Sequence, residues 1–297
     1  MRRNLVLAFA IIFALSSGNF ASASKGGIEQ VNNNFVVGFT YSDNGIPSLC
    51  SGALVAPDVI ATARHCVINR LGVYGTNYVF SAPGAKLDAP IDGTKVPTGI
   101  KQIIIPQQSP VTGIDFRLDL AFIITDKAFA SGTPIKFASA QDLSSLNESS
   151  QIAGYGYGAV FETGQIYSSL PRKFDLTWKS SFLVEGSTSL YELLSEVNAA
   201  CRGDSGGPIT IKQSDGSELL LGAVSGAGEV ANGCGTKLAD SFYHLRITVF
   251  HPYINQIPSP AASPAAKVKK ITCIKGSKKK VVTGINPKCP KGYKLKK

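Results

Sequence analysis

The body of the chain alternates between short apolar runs and polar turn clusters. The runs are rich in Val, Ile, Phe and Tyr, which pack well on a pleated sheet and are enriched in strands. They fall at residues 34–41, 77–82, 99–106, 119–125, 218–226 and 241–249. Clusters of Asp, Asn, Gly and Ser separate the runs and indicate turns. Short strands at this spacing predict an all-β sandwich or barrel.

One segment near residue 250 follows a different period. Its apolar residues recur at steps of three and four: Val249, Phe250, Tyr253, Ile254 and Ile257. This spacing predicts a helix that closes the body. Pro252 fits the first turn, where its missing N–H is not needed. Residues 258–266 are then predicted to form a Pro/Ala/Ser linker.

The first 23 residues have the layout of a secretory signal peptide. Arg2 and Arg3 precede an apolar run at 5–15, and small residues follow at 21–23. The run has eleven residues, fewer than the roughly 20 that a transmembrane helix needs. We predict cleavage between Ala23 and Ser24. No later stretch is long and apolar enough to span a bilayer, so we expect a secreted, extracellular protein without a transmembrane segment.

Charge is distributed unevenly along the chain. The formal net charge is +10, but residues 267–297 alone contain twelve Lys and no acid. Residues 24–266 carry 16 Lys and Arg against all 20 Asp and Glu, a net charge of −4. A basic protein suggests nucleic-acid binding, but this body is mildly acidic. In the tail, Lys outnumbers aromatic residues 12 to 1, so base stacking has little support and we expect no nucleic-acid partner.

Three short stretches carry the residues of a nucleophilic active site: CRGDSGGP at 201–208, TARHC at 62–66 and LDLAFI at 118–123. A serine hydroxyl is a poor nucleophile at neutral pH and requires a base. The base in turn requires an acid that orients it and stabilises its cation. Ser205, His65 and Asp119 are the candidates for these roles. The glycines around Ser205 allow a tight turn in which the amides of Gly203 and Ser205 bind an oxyanion.

The order His, Asp, Ser and the surrounding motifs resemble the trypsin/chymotrypsin-like family of serine proteases. The segments that carry the resemblance are 49–66, 119–123, 154–158, 201–208 and 224–228, and it covers roughly residues 24–257. It implies two six-stranded antiparallel β-barrels, at about 24–140 and 141–250, with the active site between them. His65 and Asp119 then belong to the first barrel and Ser205 to the second. The implied activity is that of a serine endopeptidase acting on protein or peptide substrates.

The six cysteines form an even set. In an exported protein this indicates three disulfides, with 15 possible pairings. The family resemblance implies the pairs Cys50–Cys66 and Cys201–Cys234, and the two cysteines that remain, both in the tail, are Cys273 and Cys289. We expect those two to pair with each other. Free or metal-bound cysteines are the less favoured alternative, because export favours disulfides and the chain has no Cys-x-x-Cys pair.

Residues 267–297 are predicted to form a small unit of their own. They are too few for an apolar core, so we expect a hairpin pinned by its disulfide. The segment resembles short Lys-rich tails with two cysteines on other secreted bacterial proteins. Two interpretations remain open: retention on an anionic cell-surface polymer or lipid headgroups, and a solvated tail without a partner.

The resemblance also indicates substrate-binding residues. Ala199 lies six residues before the candidate nucleophile, where the family's specificity pocket has its base. It carries no charge, so a buried substrate cation would lack a partner, and we expect cleavage after small to medium apolar residues. Ser225, Gly226 and Ala227 are expected to pair with an extended substrate through backbone groups. An alignment shift of one residue instead places Asp240 in the pocket and restores a preference for Lys or Arg.

Asp204 directly precedes the candidate nucleophile. In family members cut from a zymogen, this residue pairs with the new N-terminal ammonium. The family start IVGG appears here as SKGG at 24–27. Either Ser24, released by signal cleavage, is the partner of Asp204, or another group holds it.

Some positions depart from the family pattern. Arg64 replaces the usual Ala beside the histidine, and Gly226 replaces a Trp. The loop between His65 and Tyr78 contains no acid, so we expect no calcium there, and we expect no metal or cofactor in the protein.

Alternatives to the site assignment remain. Asp115 competes with Asp119, although the Asp-Leu-Ala frame favours Asp119. His244 and His251 are expected to be structural or on the surface. The competing class of function is a catalytically silent protease homologue that binds at an anionic surface.

Overall fold

The computed structural model describes residues 27–30, 33–87, 93, 96–106, 118–159, 167–178, 190–231, 233–256, 269–276, 278–284 and 289–295. The predicted signal peptide, Ser24, Asp115 and the predicted linker at 258–266 lie outside these residues. No helix in this part of the chain is long and apolar enough to cross a bilayer.

Strands dominate the described residues. In chain order they are β1 (Ile28–Glu29), β2 (Val36–Asp43), β3 (Ile46–Ala56), β4 (Val59–Thr62), β5 (Thr76–Phe80), β6 (Ile100–Ile104), β7 (Ala121–Thr125), β8 (Lys136–Phe137), β9 (Ile152–Gly156), β10 (Arg172–Leu176), β11 (Leu190–Ser195), β12 (Pro208–Lys212), β13 (Glu218–Ala227), β14 (Val230–Ala231), β15 (Cys234–Gly235), β16 (Tyr243–Val249), β17 (Lys269–Lys275), β18 (Lys278–Gly284) and β19 (Lys294–Leu295). Within the same residues, helical structure is limited to α1 (Ala140–Ser144) and to 3₁₀ helices at Arg64–Cys66 and His251–Gln256. The predicted all-β class is confirmed.

The first sheet has six antiparallel strands in the order β5-β2-β3-β4-β7-β6. Asn44 and Gly45 join β2 to β3, and their φ angles of 49° and 87° suit a two-residue hairpin turn. The sheet curls around an apolar core that includes the fully buried Phe39 and Ile60. β4 ends at Thr62 and leads directly into the 3₁₀ turn that carries His65.

The second sheet follows the order β1-β10-β9-β12-β13-β16-β11, and β8 pairs with β13 in parallel. It has eight strands where we expected six. The additional strands are β1 and β8, each of two residues. Two residues are too few to show a sequence period, so the pattern did not predict them. The core of this sheet includes Leu193, Ile209 and Ile247.

A third apolar cluster joins the two sheets. Leu120 and Phe122 from the first sheet region and Leu220 from the second pack with Phe250 and Tyr253 of the closing segment. The described part of that segment is a 3₁₀ helix, in which the Tyr253 amide donates to the Phe250 carbonyl at 2.8 Å. Apolar steps of three suit both 3₁₀ and α-helices, so the spacing alone did not distinguish them.

The tail forms a separate three-stranded antiparallel sheet in the order β18-β17-β19. Cys273 in β17 forms a disulfide with Cys289. Cys273 is also the only buried residue among the tail residues whose side chains are described. The Lys side chains described in this sheet are therefore at its surface.

Candidate active site

His65 and Asp119 meet at one end of the first sheet, where β4 and β7 pair. Asp119 Oδ2 lies 2.7 Å from His65 Nδ1, and Asp119 Oδ1 accepts a 2.9 Å hydrogen bond from the His65 backbone amide. An ionised carboxylate is an acceptor only, so this contact assigns the neutral ring's proton to Nδ1. Nε2 is then the nitrogen that can accept a proton.

Each member of this pair changes the pKa of the other. Desolvation opposes a charged imidazole, but the charge and hydrogen bond of Asp119 outweigh it, so the pKa of His65 is raised. Burial also opposes the carboxylate, but His65 and the Ser225 hydroxyl together lower the pKa of Asp119. The His65 side chain is 42% exposed and that of Asp119 only 13%. The His65 ring is therefore accessible to solvent, whereas the Asp119 carboxylate is mostly shielded from solvent.

Ser205 lies in the turn that leads into β12 of the second sheet. This turn contacts the 3₁₀ turn that carries His65 in the first sheet region. Its carbonyl accepts a 2.9 Å hydrogen bond from the Ser51 amide of β3 and lies 3.5 Å from Cys66 Sγ. A Cβ at Gly206 would collide with the Thr62 hydroxyl. Ser205 and Gly206 therefore lie against Cys66 and Thr62, which stand on either side of His65 in the chain.

The turn around Ser205 leaves two backbone amides available. Gly203 and Gly206 have φ angles of 100° and 75°, the left-handed region that favours glycine. The amides of Asp204, Gly206 and Gly207 donate to backbone carbonyls. No described residue accepts a hydrogen bond from the amide of Gly203 or Ser205. Such a pair of donors can bind a developing oxyanion.

Asp204 is fully buried behind this turn. Its Oδ1 accepts a 2.9 Å hydrogen bond from the Gly158 amide, and its Oδ2 accepts a 2.8 Å bond from the Cys201 amide. A Cβ at Gly156 or Gly158 would collide with the carboxylate. The space that Asp204 occupies explains why residues 156 and 158 of the GYGYG segment are glycines. The sequence pattern did not indicate this role.

Ser225 has a side-chain role that sequence reasoning missed. Its hydroxyl donates a 2.7 Å hydrogen bond to Asp119 Oδ2, the same oxygen that faces His65. The register between β13 and β16 shifts between Val224 and Gly226, and a bulge of this kind redirects a side chain. Gly226 and Ala227, at the end of β13, are partly exposed and pair with β16 on one edge.

Three residues lie close together where the sequence predicted the specificity pocket. Ala199 is 2% exposed. A Cβ built at Gly235 would lie 3.2 Å from the Ala227 Cβ and 3.5 Å from the Ala199 Cβ, so these three residues converge. The Asp240 carboxylate instead accepts a 3.1 Å bond from the Phe242 amide and lies 2.9 Å from His244 Nε2.

Disulfides hold the loops on both sides of the site. Cys50–Cys66 ties the histidine turn to β3, and Cys201–Cys234 ties the start of the serine turn to β15. These two bridges are the pairs that the family resemblance implies, and the third, Cys273–Cys289, joins the two cysteines that remained. Cys50, His65 and Cys66 place potential metal-ligand atoms within 4.8 Å of one another, but both sulfurs belong to the disulfide and offer no thiolate.

A cavity of about 650 Å³ lies beside the His–Asp pair. The described residues that line it are Arg64, His65, Ile68, Asn69, Arg70, Asp119 and Ser225. It contains groups from both sheets, because Asp119 belongs with the first and Ser225 with the second. His65 and Asp119 therefore face an open cleft to which both sheets contribute.

Two curled antiparallel sheets with this cleft at their junction have the architecture of trypsin-like proteins. The Trypsin family profile matches residues 25–254, and the chain belongs to that family. Membership supports a proteolytic function for the body of the chain.

Two curated relatives are similar over long stretches. Serine proteinase stubble of Drosophila melanogaster is 27% identical over 194 residues, which cover 59% of this chain and 23% of that protein. Chymotrypsin-like elastase family member 3B of Macaca mulatta is 25% identical over 244 residues, which cover 74% of this chain and 86% of that protein. The chain thus corresponds to less than a quarter of the first relative and to most of the second.

Proposed function

We propose that the protein is a secreted serine endopeptidase whose triad is His65, Asp119 and Ser205. The 2.7 Å contact between His65 Nδ1 and Asp119 Oδ2, beside the turn that carries Ser205, is the observation that carries the proposal. Family membership supports peptide-bond hydrolysis as the reaction.

In the proposed reaction, Ser205 Oγ attacks the scissile carbonyl while His65 Nε2 takes its proton. Asp119 holds the imidazole and stabilises the cation that forms. The amides of Gly203 and Ser205 bind the oxyanion of the tetrahedral intermediate. His65 then donates its proton to the leaving amine, and a water molecule activated by His65 hydrolyses the acyl-enzyme.

A fluorophosphonate probe tests this proposal, because it forms a covalent bond only with an activated serine. We expect the purified mature protein to be labelled at Ser205 and to hydrolyse peptides. Ser205→Ala is expected to lose the label and hydrolysis, apart from a residual rate of about 10³–10⁴ over water from the remaining groups. Absence of labelling in the wild-type protein would instead favour the silent binding protein.

We propose that cleavage follows small to medium apolar residues such as Ala, Val, Leu or Met. The uncharged Ala199 and the close approach of Ala227 and Gly235 to it support this preference. The Asp240 carboxylate already contacts His244 and the Phe242 amide. These contacts argue against Asp240 as the buried partner of a Lys or Arg side chain of the substrate.

Profiling on a peptide library checks the preference. Ala227→Gly should raise kcat/KM for Phe relative to Ala at the cleaved position by about tenfold, because roughly one methyl group is removed from the pocket wall. Asp240→Ala is the control and should leave the profile unchanged. Dominant cleavage after Lys or Arg that disappears in Asp240→Ala would overturn the apolar pocket.

The tail carries a second, separate proposal. We infer that residues 267–297 retain the enzyme on an anionic surface, because they contain twelve Lys and no acid. The Lys side chains described there lie at the surface of the β17–β18–β19 sheet. Signal cleavage after Ala23, a protease domain at 24–257 and a linker at 258–266 complete the proposed organisation.

A further inference from the structure

Arg172 is a cation outside the proposed triad, and most of its side chain is withdrawn from solvent. Its side chain is only 11% exposed, although it is the first residue of β10. Nη2 donates to the Gly27 carbonyl, and Nη1 donates to Glu29 Oε1 at 3.4 Å. Nε is buried and has no hydrogen-bond partner among the described residues. Removing a guanidinium from water costs free energy unless the charge is paired, so the contacts of Arg172 must offset that cost.

These contacts fasten the N-terminal strand to the second sheet. β1 pairs with β10, with Glu29 opposite Arg172, and the Gln30 amide donates to the Pro171 carbonyl at 2.8 Å. Gly27 is buried, whereas Ile28 and Glu29 are exposed. With only two strand residues, β1 buries little apolar surface, so the guanidinium contacts add to the backbone pairing that holds it.

The same residue adjoins the support of the serine turn. In the pairing of β10 with β9, Arg172 lies opposite Gly156. Gly156 in turn packs against the Asp204 carboxylate so closely that a Cβ would collide with it. One strand therefore separates the backbone of Arg172 from the buried acid that precedes Ser205.

Electrostatics link Arg172 to that acid. Burial lowers the pKa of Arg172, while the negative charges of Glu29 and Asp204 act in the opposite direction. Glu29 is half exposed and screened by water, but Asp204 is fully buried. A cation in this position stabilises the Asp204 carboxylate, which holds the amides of Gly158 and Cys201.

We propose that Arg172 is a positioning residue that clamps the N-terminal strand and, through Asp204, keeps the Gly203 and Ser205 amides in their oxyanion-binding arrangement. This inference rests on the proposed function, because it concerns the same turn. It makes catalytic competence depend on the docking of residues 27–30 onto β10.

Arg172→Met tests the clamp, and Lys173→Met is the matched control. Lys173 is the next residue of β10, and its ammonium lies 3.8 Å from Asp175 and 4.0 Å from Glu218. We expect Arg172→Met to lower the rate constant of fluorophosphonate labelling and kcat by about 10- to 100-fold, the factor for losing one or two hydrogen bonds to a charged group. KM should change little in Arg172→Met. The labelling rate constant and kcat of Lys173→Met should stay within about twofold of the wild-type values. Arg172→Lys should recover part of the loss, because it keeps the positive charge.

Hydrogen exchange of the full mature protein provides a readout that does not depend on activity. In Arg172→Met, peptides covering 27–30 and 201–208 should exchange faster, while β2 keeps its wild-type rate as a control for folding. Glu29→Gln, at a half-exposed position, offers a milder variant that keeps the fold and should speed exchange at 27–30. Equal labelling and equal exchange in Arg172→Met and Lys173→Met would overturn the clamp. An unlabelled wild-type protein would contradict the proposed function, and the exchange rates would still decide on the clamp.

Discussion

The body at residues 27–256 and the tail at 269–295 hold their strands in different ways. In the body, large side chains such as Phe39, Phe122 and Leu193 are completely buried. In the tail, Cys273 is the only buried residue among the side chains described. Apolar burial therefore stabilises the body, whereas the tail depends on one covalent bond. A substitution in the candidate active site should thus lower the catalytic rate without unfolding the body. Loss of the tail disulfide should unfold the tail without changing the catalytic rate.

The largest expected effect lies in the body. Asp119→Asn keeps the shape of the side chain but removes the charge that orients and stabilises the His65 cation. We expect kcat to fall by about 10⁴, with the melting temperature and the tail little changed. Steady-state kinetics measure the effect, and Asp58→Asn, the same change at another acid of the first sheet region, is the control. A loss below tenfold would contradict the assigned role.

The same pair makes a pH prediction. Catalysis requires neutral His65, so kcat/KM should rise with pH as the imidazole loses its proton. Because Asp119 raises the pKa of His65, the rise should be centred above the ordinary histidine value of about 6.5. Asp119→Asn should move what remains of the rise to lower pH. A rise that keeps its position in the variant would show that the carboxylate does not act on His65.

The second largest effect is expected on removal of the tail disulfide. Replacing Cys273 and Cys289 with Ser removes a bridge across 16 residues. A bridge of this span contributes about 3 kcal/mol, more than so small a sheet supplies from apolar burial. We expect the amides of β17 and β18 to lose their protection from hydrogen exchange, while kcat/KM on short peptides is unchanged.

The matching change in the body sharpens the contrast. Cys50 and Cys66 also lie 16 residues apart, but their bridge is attached to a packed core and holds the histidine turn. Replacing both with Ser should leave the sheet folded and lower kcat. A tail that stays protected without its bridge, or a body that unfolds without this one, would contradict the comparison.

The smallest expected effect separates the two regions altogether. Deleting residues 258–297 should change kcat/KM on short peptides by less than about twofold, because no residue of the proposed triad lies there. Binding to anionic vesicles at low salt should be lost in the deleted form, and that of the full chain should weaken as salt screens the Lys charges. Equal vesicle binding by the two forms would exclude surface retention by the tail.

Sequence patterns predicted much of the fold because short-range rules apply to it. Apolar runs between turn clusters predicted an all-β protein, and Asn44 with Gly45 forms the tight hairpin turn that such a pair favours. The patterns did not predict β1 or β8, which are too short to show a period. They also did not separate a 3₁₀ helix from an α-helix in the closing segment.

The sequence by itself determined which groups are available and in what order: His65, Asp119 and Ser205 within motifs specific enough to indicate a family. Only the tertiary structure decided which distant groups share a partner. Ser225 reaches Asp119 across 106 positions of the chain, and Arg172 reaches Gly27 across 145. These contacts depend on strand register and on a bulge, which are set by the packing of whole sheets. No local pattern around Ser225 or Arg172 encodes them, because the partner of each lies on a strand or loop whose position the rest of the fold determines.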